Sequence, residues 1–85
     1  MFNQQLLAGR RILVTGGAGY VGSTLVPMLL DQGHRVRVLD SLKFGGHGLL
    51  PCCQNRFFEL QKGDVCDEKA VAKALDGVEA VIHLA

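Results

Sequence analysis

The segment Val14–Gly22, with the sequence VTGGAGYVG, constrains the fold more than any other part of the chain. The apolar and β-branched run 11–15 overlaps its start and has the length of a buried parallel strand. Glycines recur at positions 16, 19 and 22. In a strand-to-helix turn, the first can adopt a positive φ, the second lets the backbone approach a ligand, and the third lets the helix pack tightly on the strand. The free N–H groups and the dipole at the start of the helix would then bind phosphate.

The composition narrows the class of protein. The chain has 85 residues, of which 48% are hydrophobic and 20% charged, as in a single small globular domain. Its net charge of +1 gives no electrostatic reason to expect nucleic acid or a membrane surface as a partner. The uncharged stretch 12–30 is long enough to cross a membrane, but its four glycines and Pro27 disfavour a lipid-facing helix.

The cysteines favour a reducing compartment. There are three, Cys52 and Cys53 are neighbours, and no C-x-x-C pair occurs, so the sequence disfavours a disulfide framework and a zinc site. We therefore expect reduced thiols, a cytoplasmic location and no bound metal.

Helix and strand patterns alternate along the rest of the chain. The apolar spacing predicts a helix over 20–32, with Gly33 as its left-handed C-terminal residue, and a second strand over 34–40. The segment 41–55 has several glycines and no period, so it is predicted to be a loop that includes a short helical turn. A loop of this length either covers a ligand or forms a mobile, solvent-exposed excursion.

The second half of the chain repeats the alternation. A third strand is predicted over 56–61 at an edge of the sheet, and a buried fourth strand over 78–85. Between them, Asp67 is predicted to cap a helix that Gly77 ends. This order predicts an α/β fold with a parallel sheet in the strand order 3-2-1-4, which places the glycine turn beside the crevice between strands 1 and 4.

Three polar residues are candidates for binding or catalysis. Asp40 ends the second strand 18 residues after Gly22, where a carboxylate can accept hydrogen bonds from ribose hydroxyls and repel a 2′-phosphate. This favours NAD over NADP, and the alternative role is that of a strand-end cap. Asp64 either meets an adenine amino group or forms a turn. His83 has no carboxylate or serine near it in sequence, so we interpret it as a structural histidine.

Four motifs together resemble the extended short-chain dehydrogenase/reductase family, in its NAD-dependent epimerase/dehydratase group that acts on nucleotide sugars. They are TGGAGYVG at 15–22, DSL at 40–42, GDV at 63–65 and VIHLA at 81–85, in the order of the family. The resemblance implies a Rossmann-like sheet that this chain contains only in part. Residues 1–10 are then a lead-in segment, and 11–85 are the N-terminal part of an NAD(P)-binding domain. It also implies NAD as the cofactor and a nucleotide sugar as the substrate of a longer parent enzyme.

The resemblance also implies roles for individual residues. Gly16, Gly19, Tyr20 and Val21 would approach the pyrophosphate, Asp40 and Ser41 would hold the adenosine ribose, Asp64 and Val65 would border adenine, and Leu84 and Ala85 would line the cofactor toward the nicotinamide.

The catalytic Tyr-x-x-x-Lys pair of the family is missing from the sequence. Tyr20 is the only tyrosine, and Thr24 stands four residues after it. We therefore assign no catalytic residue and expect the chain to bind the ADP half of the cofactor without catalysing a reaction by itself. The alternative is a non-catalytic nucleotide-binding or interaction module with the same fold. A fourth strand left as an apolar edge would favour self-association in either case.

Overall fold

Four strands form one parallel sheet in the computed structural model, which describes residues 9–43 and 45–84. They are β1 (Arg11–Thr15), β2 (Arg35–Asp40), β3 (Phe58–Lys62) and β4 (Ala80–His83). Their order is β3-β2-β1-β4, which confirms the predicted topology and the prediction that the third strand lies at an edge. The strands are in register such that Val14 of β1 lies opposite Val38 of β2 and Ile82 of β4.

The helices pack on opposite faces of this sheet. Helix α1 (Tyr20–Asp31) connects β1 to β2, and helix α2 (Glu68–Leu75) connects β3 to β4. Successive strand residues point to opposite faces, so Val14 is buried on the α1 side and its neighbour Leu13 on the α2 side. The change of face between the two connections is the reversal of winding expected next to β1.

Both helices begin and end close to the positions that the sequence predicts. Helix α1 ends one residue before the predicted position, and Gly33 has the expected left-handed conformation with φ +86°. The Asp67 carboxylate accepts the amide of Lys69 at 3.0 Å, which caps α2 at its N-terminus as predicted. Helix α2 ends at Leu75, two residues before Gly77.

The C-terminus of α2 is capped by the side chain of Arg37 and not by Gly77 alone. The Nη1 group of Arg37 on β2 donates to the carbonyls of Ala74 at 2.7 Å and Asp76 at 2.9 Å. A cation at this position satisfies carbonyls that the last turn of a helix leaves without partners. Helix α2 is thereby held against the sheet by a side chain of a central strand.

The two outer strands differ from the prediction. Strand β3 begins at Phe58, two residues later than expected, because the Asn55 side chain accepts the amide of Phe57 at 2.8 Å and forms a turn there. Strand β4 is limited to Ala80–His83, and the prediction that it is buried is wrong, since Val81 is 50% exposed. The reason is that β4 lies at an edge.

The segment between β2 and β3 belongs to the hydrophobic core. It contains a 3-10 helix (His47–Cys52), whose Leu49 and Cys52 are buried on the α1 side of the sheet. They are three positions apart, which is the repeat that brings two side chains onto one face of a 3-10 helix. Gly48 of this helix lies against Ser23 of α1. The short helical turn is therefore confirmed, and Leu49 and Cys52 anchor it to the core while most of its other residues are exposed.

Within the residues that the structure describes, neither α1, α2 nor the 3-10 helix combines the length and the apolar character needed to cross a membrane. The predicted lead-in segment lies mostly outside the described residues, since residues 1–8 are not among them.

Candidate functional site

The segments that follow all four strands meet at the carboxyl edge of the sheet. Three backbone hydrogen bonds of 2.8–2.9 Å join neighbouring segments, from Gly16 N–H to the Leu39 carbonyl, from Gly63 N–H to the Asp40 carbonyl and from Leu84 N–H to the Thr15 carbonyl. The structure therefore brings together the residues that the sequence singles out, apart from Ala85, which lies outside the described residues. In parallel α/β sheets this edge is where ligands bind.

The three glycines of the turn have separate structural roles. Gly16 has φ +73°, a conformation that residues with a Cβ rarely adopt. A Cβ on Gly22 would lie 2.1 Å from the carbonyl oxygen of Gly17, so only glycine allows α1 to start this close to the turn. The positive φ confirms the predicted role of Gly16, whereas Gly22 allows α1 to pack closely against the turn at Gly17 rather than only against the strand. A Cβ on Gly19 would have only the Gly16 carbonyl oxygen nearby, at 3.5 Å, so its side of the turn is open.

A fourth glycine in the turn was not predicted to matter. Gly17 is buried, and a Cβ there would lie 2.9 Å from Cγ1 of Val38 and 3.2 Å from Cγ1 of Val14. It lets the turn fold down over the two central strands. Gly17 falls outside the three-residue spacing of the other glycines, so that pattern does not predict its role. Its position directly after Gly16 in the turn could have predicted it.

The N-terminus of α1 leaves backbone donors without partners. The Ser23 amide donates to the Gly19 carbonyl at 2.9 Å, whereas the three amides of residues 20–22 donate to no group among the described residues. The N-cap is Gly19, which has no side chain to accept them, and the first turn carries no acidic residue. The amides at the positive end of the helix dipole therefore have no acceptor in the described part of the chain. The Tyr20 and Val21 side chains beside it are 91% and 60% exposed.

Asp40 connects the end of β2 to the glycine turn. Its Oδ2 accepts the amide of Ala18 at 3.0 Å, and its Oδ1 accepts the amide of Leu42 at 2.7 Å. The role of strand-end cap is thus real. A carboxylate has about four acceptor positions, so these two bonds leave acceptor capacity for a ligand while they fix the carboxylate beside the turn. The adjacent Ser41 is half-buried.

Asp64 forms a turn after β3. Its Oδ1 accepts the amide of Cys66 at 2.8 Å, and this hydrogen bond is the main reason that the pKa of the Asp64 carboxyl lies below its usual value. The turn role considered for this residue is therefore present. Val65 next to it is exposed, with 36% of its surface open to solvent.

His83 has a structural partner on the neighbouring strand. Its Nδ1 is hydrogen-bonded to Oγ1 of the buried Thr15, which joins the carboxyl ends of β4 and β1. Within residues 9–43 and 45–84, no group of three or more His, Cys, Asp and Glu side chains is placed to hold a metal ion.

A doubly wound parallel sheet with a glycine turn after its first strand defines the Rossmann class of α/β domain. A model of the family described as NAD dependent epimerase/dehydratase matches residues 12–85. The chain belongs to this family.

Three similar proteins illustrate the breadth of the family. The 3 beta-hydroxysteroid dehydrogenase/Delta 5-->4-isomerase of Mycobacterium tuberculosis is 44% identical over 75 residues, which cover 88% of this chain and 19% of the relative. The dTDP-glucose 4,6-dehydratase of Streptomyces niveus is 39% identical over 83 residues, and the match covers 88% of this chain and 25% of the relative. The crystal structure of WbmG from Bordetella bronchiseptica in complex with NAD is 35% identical with a TM-score of 0.79, and the match covers 92% of this chain and 25% of that one. The chain thus spans a quarter or less of the length of these proteins.

Proposed function

We propose that residues 11–85 are the N-terminal part of an NAD-binding domain, and that they hold the ADP half of the cofactor. The observation that carries the proposal is the juxtaposition of the fixed Asp40 carboxylate with amides at the start of α1 that have no partner among the described residues. The amides offer hydrogen bonds to a pyrophosphate, and the carboxylate offers acceptors to ribose hydroxyls. WbmG, which is similar over most of this chain, is described in complex with NAD.

The strand order supports the proposed assignment of each residue. From β3 to β4, the segments at the carboxyl edge are those of Asp64 and Val65, of Asp40 and Ser41, of the glycine turn, and of Leu84. Adenine, ribose, pyrophosphate and nicotinamide follow each other in the same sequence along a dinucleotide. A cofactor extended across the sheet would therefore meet each segment in turn, while the role proposed for Ala85 falls outside the described residues.

The shape of the glycine turn fits a cofactor. The open side of Gly19 leaves room for a pyrophosphate to contact the turn, because among the described residues beyond its chain neighbours a Cβ there would meet one atom within 4 Å, the Gly16 carbonyl oxygen. The exposed side chains of Tyr20 and Val21 lie next to this space and would be covered by the bound ligand. When bound, NAD supplies a hydride acceptor for a sugar carbon. The residues of this chain bind and orient the cofactor, and none of them is assigned to catalysis.

The preference for NAD over NADP depends on Asp40. Its carboxylate would repel the 2′-phosphate of NADP and accept hydrogen bonds from the free hydroxyls of NAD. We expect Asp40→Ala to weaken the binding of NAD more than that of NADP in isothermal titration calorimetry. Glu68→Ala, which removes an exposed carboxylate at the start of α2, is the matched control. An equal loss for both cofactors would remove Asp40 from the ribose-binding role.

Titration with NAD, NADP and ADP also separates the two candidate functions. The cofactor-binding proposal expects saturable binding of NAD and of ADP, because the site contacts mainly the ADP half. Failure of all three to bind would support the alternative, a non-catalytic interaction module that retains the fold.

The substrate of the longer parent is proposed to be a nucleotide sugar. The dTDP-glucose dehydratase supports this class by its name, and WbmG is also described in complex with NAD and UDP. The steroid dehydrogenase shares the same segment, so the parent must be tested with both substrate classes. Conversion of a hydroxysteroid but not of a UDP- or dTDP-sugar would overturn the proposal.

We also propose that the chain is cytoplasmic. All three cysteines are free thiols, which suits a reducing compartment.

The chain by itself is further proposed to self-associate through β4. Strand β4 contains no Asp, Glu, Lys or Arg, and within the described part of the chain it pairs along one edge only, with Val81 exposed, so it can pair with another copy. Light scattering after size-exclusion chromatography is expected to show a mass that rises with protein concentration. A constant monomer mass would contradict this.

A further inference from the structure

A second concave site lies at the amino ends of the strands, at the edge of the sheet opposite the glycine turn. It is a cavity of about 220 Å³. Its lining includes four arginines, one glutamate and an aromatic ring, namely Arg11, Arg35, Arg37, Arg56, Glu59 and Phe57. Nothing in the proposed cofactor site uses these side chains.

Three of the four arginines have no counter-ion among the residues that the structure describes. Arg37 forms an ion pair with Glu59, with 3.2 Å between Nε and Oε1, and its Nη1 is occupied by the carbonyls at the end of α2. All eight Asp and Glu residues of the sequence lie in the described part, and within it none of their carboxylates is paired with Arg11, Arg35 or Arg56. The lining therefore has a formal charge of +3, whereas the whole chain has +1.

The unpaired guanidinium groups are partly held in place. The Cζ atoms of Arg35 and Arg56 lie 5.2 and 5.0 Å from the centre of the half-buried Phe57 ring, within the range of cation–π contacts. Nη1 of Arg11 would lie 2.9 Å from a Cβ on Gly77, which places this guanidinium near the end of α2. None of the three side chains donates a hydrogen bond to another described residue, so each keeps up to five N–H donors for a ligand.

We propose that this cavity binds the phosphate group of a small phosphomonoester. The planar fork of arginine matches the oxygens of phosphate and forms short, charge-assisted hydrogen bonds with them. The cavity is smaller than the roughly 300–1,000 Å³ of pockets for drug-sized ligands, which fits a compact anion. A nucleic acid would need a longer positively charged track than one cavity offers.

The site is independent of the proposed cofactor function. Arg11 and Thr15 are the first and last residues of β1, which spans about 13 Å at 3.3 Å per residue. Phosphate bound among the arginines would therefore leave the amides of the glycine turn free. A small ligand could occupy each site at the same time.

Amide chemical shifts of the full chain test the proposal without any substitution. We expect inorganic phosphate and glycerol 3-phosphate to shift the signals of residues 35–37 and 56–59 saturably, at constant chloride concentration. Shifts confined to the glycine turn would overturn the proposal, because they would place the anion at the start of α1. The absence of any saturable shift, or tighter binding of a 5′-phosphorylated oligonucleotide than of glycerol 3-phosphate, would also overturn it.

A charge-matched comparison tests the arginines themselves. Loss of one charge-assisted hydrogen bond corresponds to a roughly tenfold weaker affinity, so Arg35→Gln and Arg56→Gln are each expected to weaken glycerol 3-phosphate binding about tenfold. Lys69→Gln removes the same charge from the exposed surface of α2 and is expected to leave the affinity within about twofold, since surface charges contribute little. Equal effects of all three substitutions would show a general charge effect and refute the site. The NAD affinity of each variant is expected to stay unchanged.

Discussion

Two glycines three positions apart in the turn are expected to respond in opposite ways to the same substitution. Gly22→Ala should damage folding, because its new methyl group would lie 2.1 Å from the Gly17 carbonyl oxygen and 2.4 Å from the Gly17 Cα. Gly19→Ala should leave folding nearly intact, because its methyl group would make an ordinary contact of 3.5 Å. That methyl group would instead occupy the space proposed for the pyrophosphate.

The size of the first effect follows from the geometry. An ordinary contact begins at 3.4 Å, so helix α1 would have to move away from the turn by about 1.3 Å. Overpacking costs 1–3 kcal/mol and occasionally more, and here the obstacle is backbone, so we expect a loss of about 3 kcal/mol or more. An 85-residue domain has about 4–13 kcal/mol of stability in total. The substitution would therefore remove a large fraction of it.

Urea denaturation followed by circular dichroism measures this loss, and calorimetric titration with NAD measures the binding. We expect Gly22→Ala to lower the unfolding midpoint strongly. For Gly19→Ala we expect a stability loss below about 1 kcal/mol, the scale of a helix N-cap change, and an NAD affinity at least about tenfold weaker, equivalent to 1.4 kcal/mol. An unchanged midpoint for Gly22→Ala, or normal NAD binding by Gly19→Ala, would refute the division of roles between these glycines.

Three further predictions concern the segments around the sheet. Asp67→Ala should lower the free energy of unfolding by about 1 kcal/mol in urea denaturation, because it removes the N-cap of α2. The pKa of Asp64 is lowered in the folded state, mainly by the hydrogen bond from the Cys66 amide, so its stabilising effect is complete above the unfolded pKa of about 3.9 and is lost as the pH falls through the folded value. Asp64→Asn should flatten this part of the stability profile, and an unchanged profile would contradict the assignment. Burial raises the pKa of the Cys52 thiol, so iodoacetamide should modify the exposed Cys53 and Cys66 first, as mass spectrometry can show; faster reaction of Cys52 would contradict its burial.

The sequence was sufficient to predict features that depend on local chemistry. The positive φ of Gly16, the left-handed Gly33 and the Asp67 cap follow from single residues whose conformational or hydrogen-bonding preferences are strong. The strand order followed from the alternation of strands and helices, because right-handed crossovers leave few topologies to choose from.

Features that depend on which segments pack together were harder to predict. The core position of Leu49 in the 3-10 helix depends on a contact with α1 that is distant in sequence. The apolar sequence of β4 is typical of a buried strand, but its exposure is set by which strands and helices lie beside it. The bonds from Asp40 to the amides of Ala18 and Leu42 likewise required the positions of two separate turns.

The unequal cores on the two faces of the sheet have a consequence for the order in which the molecule opens. Among the residues 9–43 and 45–84, eight buried residues form the core on the α1 side, whereas three, Leu13, Leu39 and Ala74, form the core on the α2 side. Local opening requires least energy where few apolar contacts are lost. Helix α2 should therefore detach first and exchange its amide hydrogens sooner than α1, while the glycine turn and the end of β2 stay folded. The carboxyl edge around Gly16 and Asp40 therefore lies in the part of the molecule whose amide hydrogens are expected to exchange more slowly.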